Sequence, residues 1–142
     1  MKNIVVIYWS GTGNTEKMAK ALVEGASLDG TNVTLLSVDK VKINQVLNAD
    51  VVALGCPAMG DEELEESEMK PFVESISQAV LGKNIVLFGA YGGGNGKWMR
   101  NWEEKIIGFG ANLIKDGLII HRDVIDKELE QCKKLGEIIS RV

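Results

Sequence analysis

The chain has a single histidine and only two cysteines among its 142 residues. Cys56 and Cys132 make no disulfide framework, and two thiols with one imidazole are too few for a zinc set. No nucleophile, base and orienting group can be assembled around the lone His121, so acyl transfer and hydrolysis lack their residues. No apolar run approaches the ~18 residues of a membrane span. The first, Ile4–Trp9, follows Lys2 as the core of a signal peptide would, but it is too short and no small-residue cleavage site follows. Basic residues are the minority: Lys+Arg 16 against Asp+Glu 20 gives a formal charge of −4 and a pI of about 5.1. That balance argues against nucleic acid and anionic membranes and favours a basic partner. With 45% apolar and 25% charged residues, the composition is neither disordered nor fibrous. These absences together predict a cytoplasmic protein with both thiols reduced.

What is present is alternation. The length fits one domain, residues 1–142, able to bury roughly two thirds of its surface. Ile4–Trp9, Val51–Leu54, Ile85–Phe88 and Leu118–Ile120 are continuous apolar runs, the pattern of strands covered on both faces. Val33–Val38 is mixed, as an edge strand would be. Between them the apolar period becomes helical. Met18 and Leu22 mark a helix starting near Asn14. Phe72, Ile76 and Val80 predict a second, with Pro71 in its first turn and Gly82 just past its end. Trp98, Trp102 and Ile106 mark another, and Leu129, Cys132, Leu135 and Ile139 a last one. The order is β-α repeated five times, which predicts an α/β fold with a doubly wound parallel sheet, right-handed crossovers and helices on both faces. Ligands of such sheets sit at the carboxyl ends of the strands.

Three segments at those ends carry the chemistry. After the first strand comes Ser10-Gly11-Thr12-Gly13-Asn14-Thr15, then a helix. Two glycines, three hydroxyls, one amide and a helix N-terminus make a neutral cradle for an anion, most naturally a terminal phosphate. The competing reading is a Gly-rich turn that binds nothing, but four polar side chains are more than a turn requires. A nucleoside-triphosphate loop would need a Lys directly after its last glycine, and none occurs before Lys17. A dinucleotide fingerprint would need a third glycine where Glu16 stands. The loop has no Cys for a phosphatase, and Gly55-Cys56 replaces the Asp of a phosphoacceptor receiver. After the third strand comes Gly55-Cys56-Pro57-Ala58-Met59-Gly60-Asp61-Glu62. After the fourth comes Gly89-Ala90-Tyr91-Gly92-Gly93-Gly94-Asn95-Gly96. A wide flat ligand fits between them, with Met59 as a polarizable platform. Read singly, Met59 is core filler and Tyr91 a packing residue; their place beside the cradle favours function.

The ordered set of these three segments, ending in Lys97-Trp98-Met99, resembles a flavodoxin of the short-chain clostridial type over essentially the whole chain. That resemblance implies a five-stranded sheet of order 2-1-3-4-5 and non-covalent FMN. It implies a low-potential one-electron carrier, cycling mainly between semiquinone and hydroquinone, and not an enzyme. A small FMN-dependent NAD(P)H or quinone reductase is the alternative, and a phosphate-binding module without flavin is a third reading. Redox partner proteins with a basic docking face are expected, and the chain is expected to be a monomer. Carried over by position, Ser10, Gly11, Thr12, Gly13, Asn14 and Thr15 would hold the phosphate. Met59 would lie against the ring, flanked by Pro57 and Ala58. The Gly60–Asp61 peptide would turn over on reduction so that the Gly60 carbonyl accepts the proton on the central ring nitrogen, a turn that suits glycine. Glu62 would bond the pyrimidine edge, while Gly89, Ala90, Tyr91 and Gly92 would line the other side. Gly93 stands where the family usually has an aromatic over the outer ring face.

Six carboxylates fall within eight residues: Asp61, Glu62, Glu63, Glu65, Glu66 and Glu68. The plain reading is a solvated loop leading into a helix, where acids suit the dipole. The functional reading is electrostatic: they would oppose the negative charge of reduced FMN and steer a basic partner. Cys56 and Cys132 read as small apolar residues, His121 as packed or solvated, and Trp9 as packing beside the first loop.

Overall fold

The structure is a computed structural model and describes residues 1–60 and 62–142. Six parallel strands make one sheet: β1 (Lys2–Tyr8), β2 (Thr31–Ser37), β3 (Val51–Gly55), β4 (Asn84–Tyr91), β5 (Asn112–Leu113) and β6 (Leu118–His121). The order is β2-β1-β3-β4-β5, with β6 also on β4. The expected fifth strand is therefore two pieces on one edge: β5 pairs with Asn84 and Ile85, and β6 with Phe88 through Tyr91. The mixed run around Val33 is the edge strand β2, and the continuous runs of β1, β3 and β4 lie inside the sheet.

Among the described residues four α-helices connect strands, α1 (Asn14–Ala26), α2 (Ile43–Leu47), α3 (Met69–Ser75) and α4 (Lys97–Gly108), and a fifth, α5 (Asp126–Ile139), follows β6. Side chains alternate across the strands, so each strand serves two cores. Ile4, Val6, Val51, Ala53, Val86 and Phe88 pack under α1 and α5 with Met18, Leu22, Cys132 and Ile139. Val5, Ile7, Val52, Leu54, Ile85 and Leu87 meet Met69, Val73, Trp98, Trp102 and Ile106 on the other face. On the first face α1 and α5 touch backbone to backbone: a Cβ on Gly136 would stand 2.2 Å from the Leu22 carbonyl, and one on Gly25 2.0 Å from that of Lys133.

One helix departs from expectation. The periodicity predicts a helix through Val80, but α3 ends at Ser75 and turns follow. Ile76 and Val80 keep their helical spacing and are fully buried. The Ile76 and Val80 N–H groups still donate four residues back, to Phe72 and Ile76, but the ladder between them is broken. Pro71 is third in the helix, within its first turn as expected, and costs no internal bond there, because the first four N–H groups of a helix have no partner within it.

Candidate functional site

The loop after β1 is built to expose donors. Trp9 N–H closes onto the Gly55 carbonyl at 3.0 Å, ending the β1–β3 ladder. Ser10 Oγ then accepts the Gly13 N–H at 3.0 Å, folding the loop back before α1 begins. Gly13 is the N-cap with φ of +99°, a conformation costly for any residue with a Cβ. Glu16 is the one acid in the first turn, and no side chain caps the helix. Among the described residues no protein acceptor meets the N–H groups of Gly11, Thr12, Asn14 and Thr15. Thr15 is buried, and its Oγ1 finds no hydrogen-bond partner among the described residues. A buried hydroxyl left unpaired costs about 1–3 kcal/mol. Unmet amides, an orphaned hydroxyl and the helix dipole all await the same acceptor: an anion at the α1 N-terminus.

Above this loop opens a cleft of about 320 Å³, within the range of small-molecule and cofactor sites. Gly11, Thr12 and Asn14 line it with Trp9; Pro57, Ala58 and Met59 form one wall; Ala90, Tyr91 and Gly92 form the other. Two extensions of the β3–β4 ladder hold those walls: Cys56 N–H donates to Phe88 O and Ala58 N–H to Ala90 O, both at 3.1 Å. Met59 and Glu63 exchange two backbone bonds of 2.9 Å, which fix the two ends of the segment between them. Gly60 in that segment has φ of +48° and Glu62 φ of +59°. Asp61 lies outside the described residues.

The expected site residues Glu62, Gly89 and Gly93 do not line the cleft. The Glu62 carboxylate accepts N–H groups of Asn95 at 2.9 Å and Trp98 at 3.2 Å, bridging its segment to the start of α4. Those donors, Asn95 first, hold the carboxyl below its ordinary range. Gly89 faces away: a Cβ there would lie 2.1 Å from the Cys56 carbonyl, so its role in this structure is close packing of β4. Gly93 is exposed and has nothing within 4 Å of where its Cβ would be. Tyr91 packs tilted against Trp98 and His121, at ring separations of 5.4 and 4.8 Å. His121 is solvated, with Nε2 bonded to the Gly92 carbonyl at 2.9 Å. Burial pushes both thiols up to about 12, so Cys56 and Cys132 are neutral.

The acidic stretch divides in the structure. Glu65 is only 5% exposed, and its two oxygens accept N–H groups of Ser67, Glu68 and Met69 and the Ser67 hydroxyl. Burial alone would raise its pKa; those bonds outweigh it and hold the carboxyl below the ordinary range. Glu68 accepts the Trp9 indole N–H at 3.1 Å, tying the first loop to the start of α3. Glu63 and Glu66 remain solvated. Two cleft residues escaped sequence reasoning, Arg122 and Asp123. They follow β6 in a charged stretch that reads as an ordinary surface loop.

The fit to FMN rests on this geometry. Unmet donors at a helix N-terminus suit a phosphate, and a cleft walled by apolar and glycine-rich loops suits a flat ring. The model of the family described as Flavodoxin matches residues 6–136. The chain is 45% identical to a flavodoxin of Clostridium beijerinckii, across 96% of this chain and 99% of that one. It is 39% identical to a flavodoxin of Megasphaera elsdenii, across 97% and 98%. The solution structure of that Megasphaera flavodoxin in its two-electron reduced form superposes with a TM-score of 0.89 at 38% identity, over 98% and 99% of the two chains. Sequence, topology and cleft agree, and the chain belongs to the flavodoxin family, in the short-chain clostridial class, as an electron-transfer protein whose cofactor is FMN.

Proposed function

We propose that the chain acts as a single FMN-binding domain and a cytoplasmic, monomeric one-electron carrier of low potential, cycling mainly between semiquinone and hydroquinone. The observation that carries this reading is the composition of the cleft. Its charged lining is limited to Arg122 and Asp123, with no cysteine and no histidine among the described residues. Such a lining can bind, orient and shield, so the redox chemistry is supplied by the flavin when bound. The chain's own contribution is positional. Gly11, Thr12, Asn14 and Thr15 present donors to the phosphate, and the Gly13–Ser10 bond shapes their loop. Pro57, Ala58 and Met59 support one side of the ring, while Ala90, Tyr91 and Gly92 support the other. The Gly60–Asp61 peptide is the proton-accepting element in this reading, and Glu62 ties that segment to α4. Gly89 and Gly93 complete the fourth-strand segment. Solvated Glu63 and Glu66 give the face beside Met59 its negative charge, which suits a basic partner.

The test is a visible spectrum of the protein with added FMN, followed by stepwise reduction with dithionite. Flavin bands that shift on binding and a blue intermediate at half reduction are expected. Reduction in a single two-electron step, or rapid reduction by NADPH alone, would overturn the carrier in favour of a reductase.

A further inference from the structure

The cofactor reading leaves two neighbouring cleft residues, Arg122 and Asp123, without a role. Arg122 follows β6 with φ of +64°, a left-handed conformation that a side chain of this size seldom adopts. Its backbone is pinned there. The Arg122 N–H donates to the Tyr91 carbonyl at 2.7 Å, one step beyond the Tyr91–His121 register pair, and His121 Nε2 bonds the next carbonyl, that of Gly92. The Arg122 side chain is exposed and lines the cleft. Among the described residues it has no ion-pair partner, although Asp123 lines the same cleft. Packing does not explain a guanidinium with no ion pair among the described residues on a backbone that costs on the order of 1–3 kcal/mol to hold.

Its height in the fold says what it faces. Tyr8 of β1 is level with Gly55 and, across it, with Phe88. The donor loop begins there, whereas the β4–β6 ladder runs on through Tyr91 and His121. At ~3.3 Å per residue, Arg122 stands about 13 Å beyond the end of β1, level with Gly92. On that wall Gly92 and Gly93 offer no side chain, and nothing lies within 4 Å of either Cβ position.

We propose that Arg122 is the counter-cation for the ring end of the bound cofactor. Its positive charge opposes the effect of the acidic stretch, favouring the reduced, anionic ring over the oxidised one. The inference rests on the FMN reading above. The cation biases affinity only: the electron comes from the donor protein, and no bond forms or breaks at Arg122.

The experiment uses the full chain loaded with FMN, as wild type, Arg122→Gln and Arg122→Lys. The Tyr91–Arg122 backbone bond survives all three, so a purely structural role would leave them alike. Relative to the neutral semiquinone, Arg122→Gln should bind the fully reduced form about threefold to tenfold more weakly at low salt. At about 59 mV per tenfold for one electron, that lowers the second potential by roughly 30–60 mV. The difference should shrink at high salt, and Arg122→Lys should restore it. Oxidised FMN and riboflavin binding are measured beside it. Potentials alike in all three proteins would overturn the inference. So would a loss confined to FMN and absent with riboflavin, which would assign the cation to the phosphate. Failure of wild type to bind FMN would instead overturn the functional reading itself.

Discussion

Gly93→Trp should tighten FMN binding, and the structure sets the size of the effect. Gly93 is exposed, its backbone lies outside the left-handed region, and no atom comes within 4 Å of its Cβ position. A large side chain therefore enters without displacing anything. If the indole covers about 100 Å² of apolar ring surface, burial contributes about 2.5 kcal/mol at ~25 cal/mol per Å². Ordering the side chain takes back about 1 kcal/mol. The net, about 1.5 kcal/mol, is roughly tenfold in affinity, and without the ordering cost the gain stays under two decades. Titrating apoprotein into FMN and following the loss of flavin fluorescence reads this directly. Because the cover falls on the ring, riboflavin should gain by the same factor, while Gly93→Ala should gain nothing. Equal dissociation constants for wild type and Gly93→Trp would refute the reasoning.

Thr15→Val should move two quantities in opposite directions. It removes a buried hydroxyl with no partner, so the apoprotein should gain up to about 1 kcal/mol in urea unfolding while FMN binds about tenfold more weakly. Glu65 should make the fold acid-sensitive. Its folded pKa lies below the unfolded one, so its stabilisation is complete above the ordinary carboxylate pKa and is lost as pH falls through the folded value. Glu65→Gln should cost about 1–3 kcal/mol at pH 7 and flatten the stability profile below pH ~4.5, as read by unfolding across pH. Glu63→Gln with Glu66→Gln should raise the lower potential at low salt. Two solvated charges at about 12 Å in water contribute about 0.7 kcal/mol, or about 30 mV, and the shift should fade as salt is added. Gly136→Ala should lower the melting temperature markedly, because its methyl would meet the Leu22 carbonyl at 2.2 Å and force α1 and α5 apart. A cost of about 1–3 kcal/mol is expected for such overpacking.

How much of this was legible without coordinates differs by residue. The inner strands were, since residues covered on both faces must be apolar throughout, and Ile4–Ile7, Val51–Leu54 and Ile85–Phe88 are. The donor loop was legible because a strand end, two glycines and a row of hydroxyls have few other physical uses. The span from Ile76 to Gly82 misled, because turns bury Ile76 and Val80 at the same spacing that a helix would. The two-residue β5 is too short for any period, and only its pairing with Asn84 and Ile85 defines it.

By itself, the sequence determined the alternation of elements, the apolar inner strands, the donor-rich loop after β1 and the negative charge of the loop after β3. Each of these is a local property of residue type and spacing. Tertiary structure decided which carboxylates remain free. Glu62, Glu65 and Glu68 look alike in the chain, yet they are engaged by Asn95 and Trp98, by Ser67 to Met69 and by Trp9 respectively. It also decided that a surface arginine stands at the cleft. Arg122 gets there because β6 pairs with the far end of β4, and a partner 31 residues away in the chain leaves no trace in local sequence.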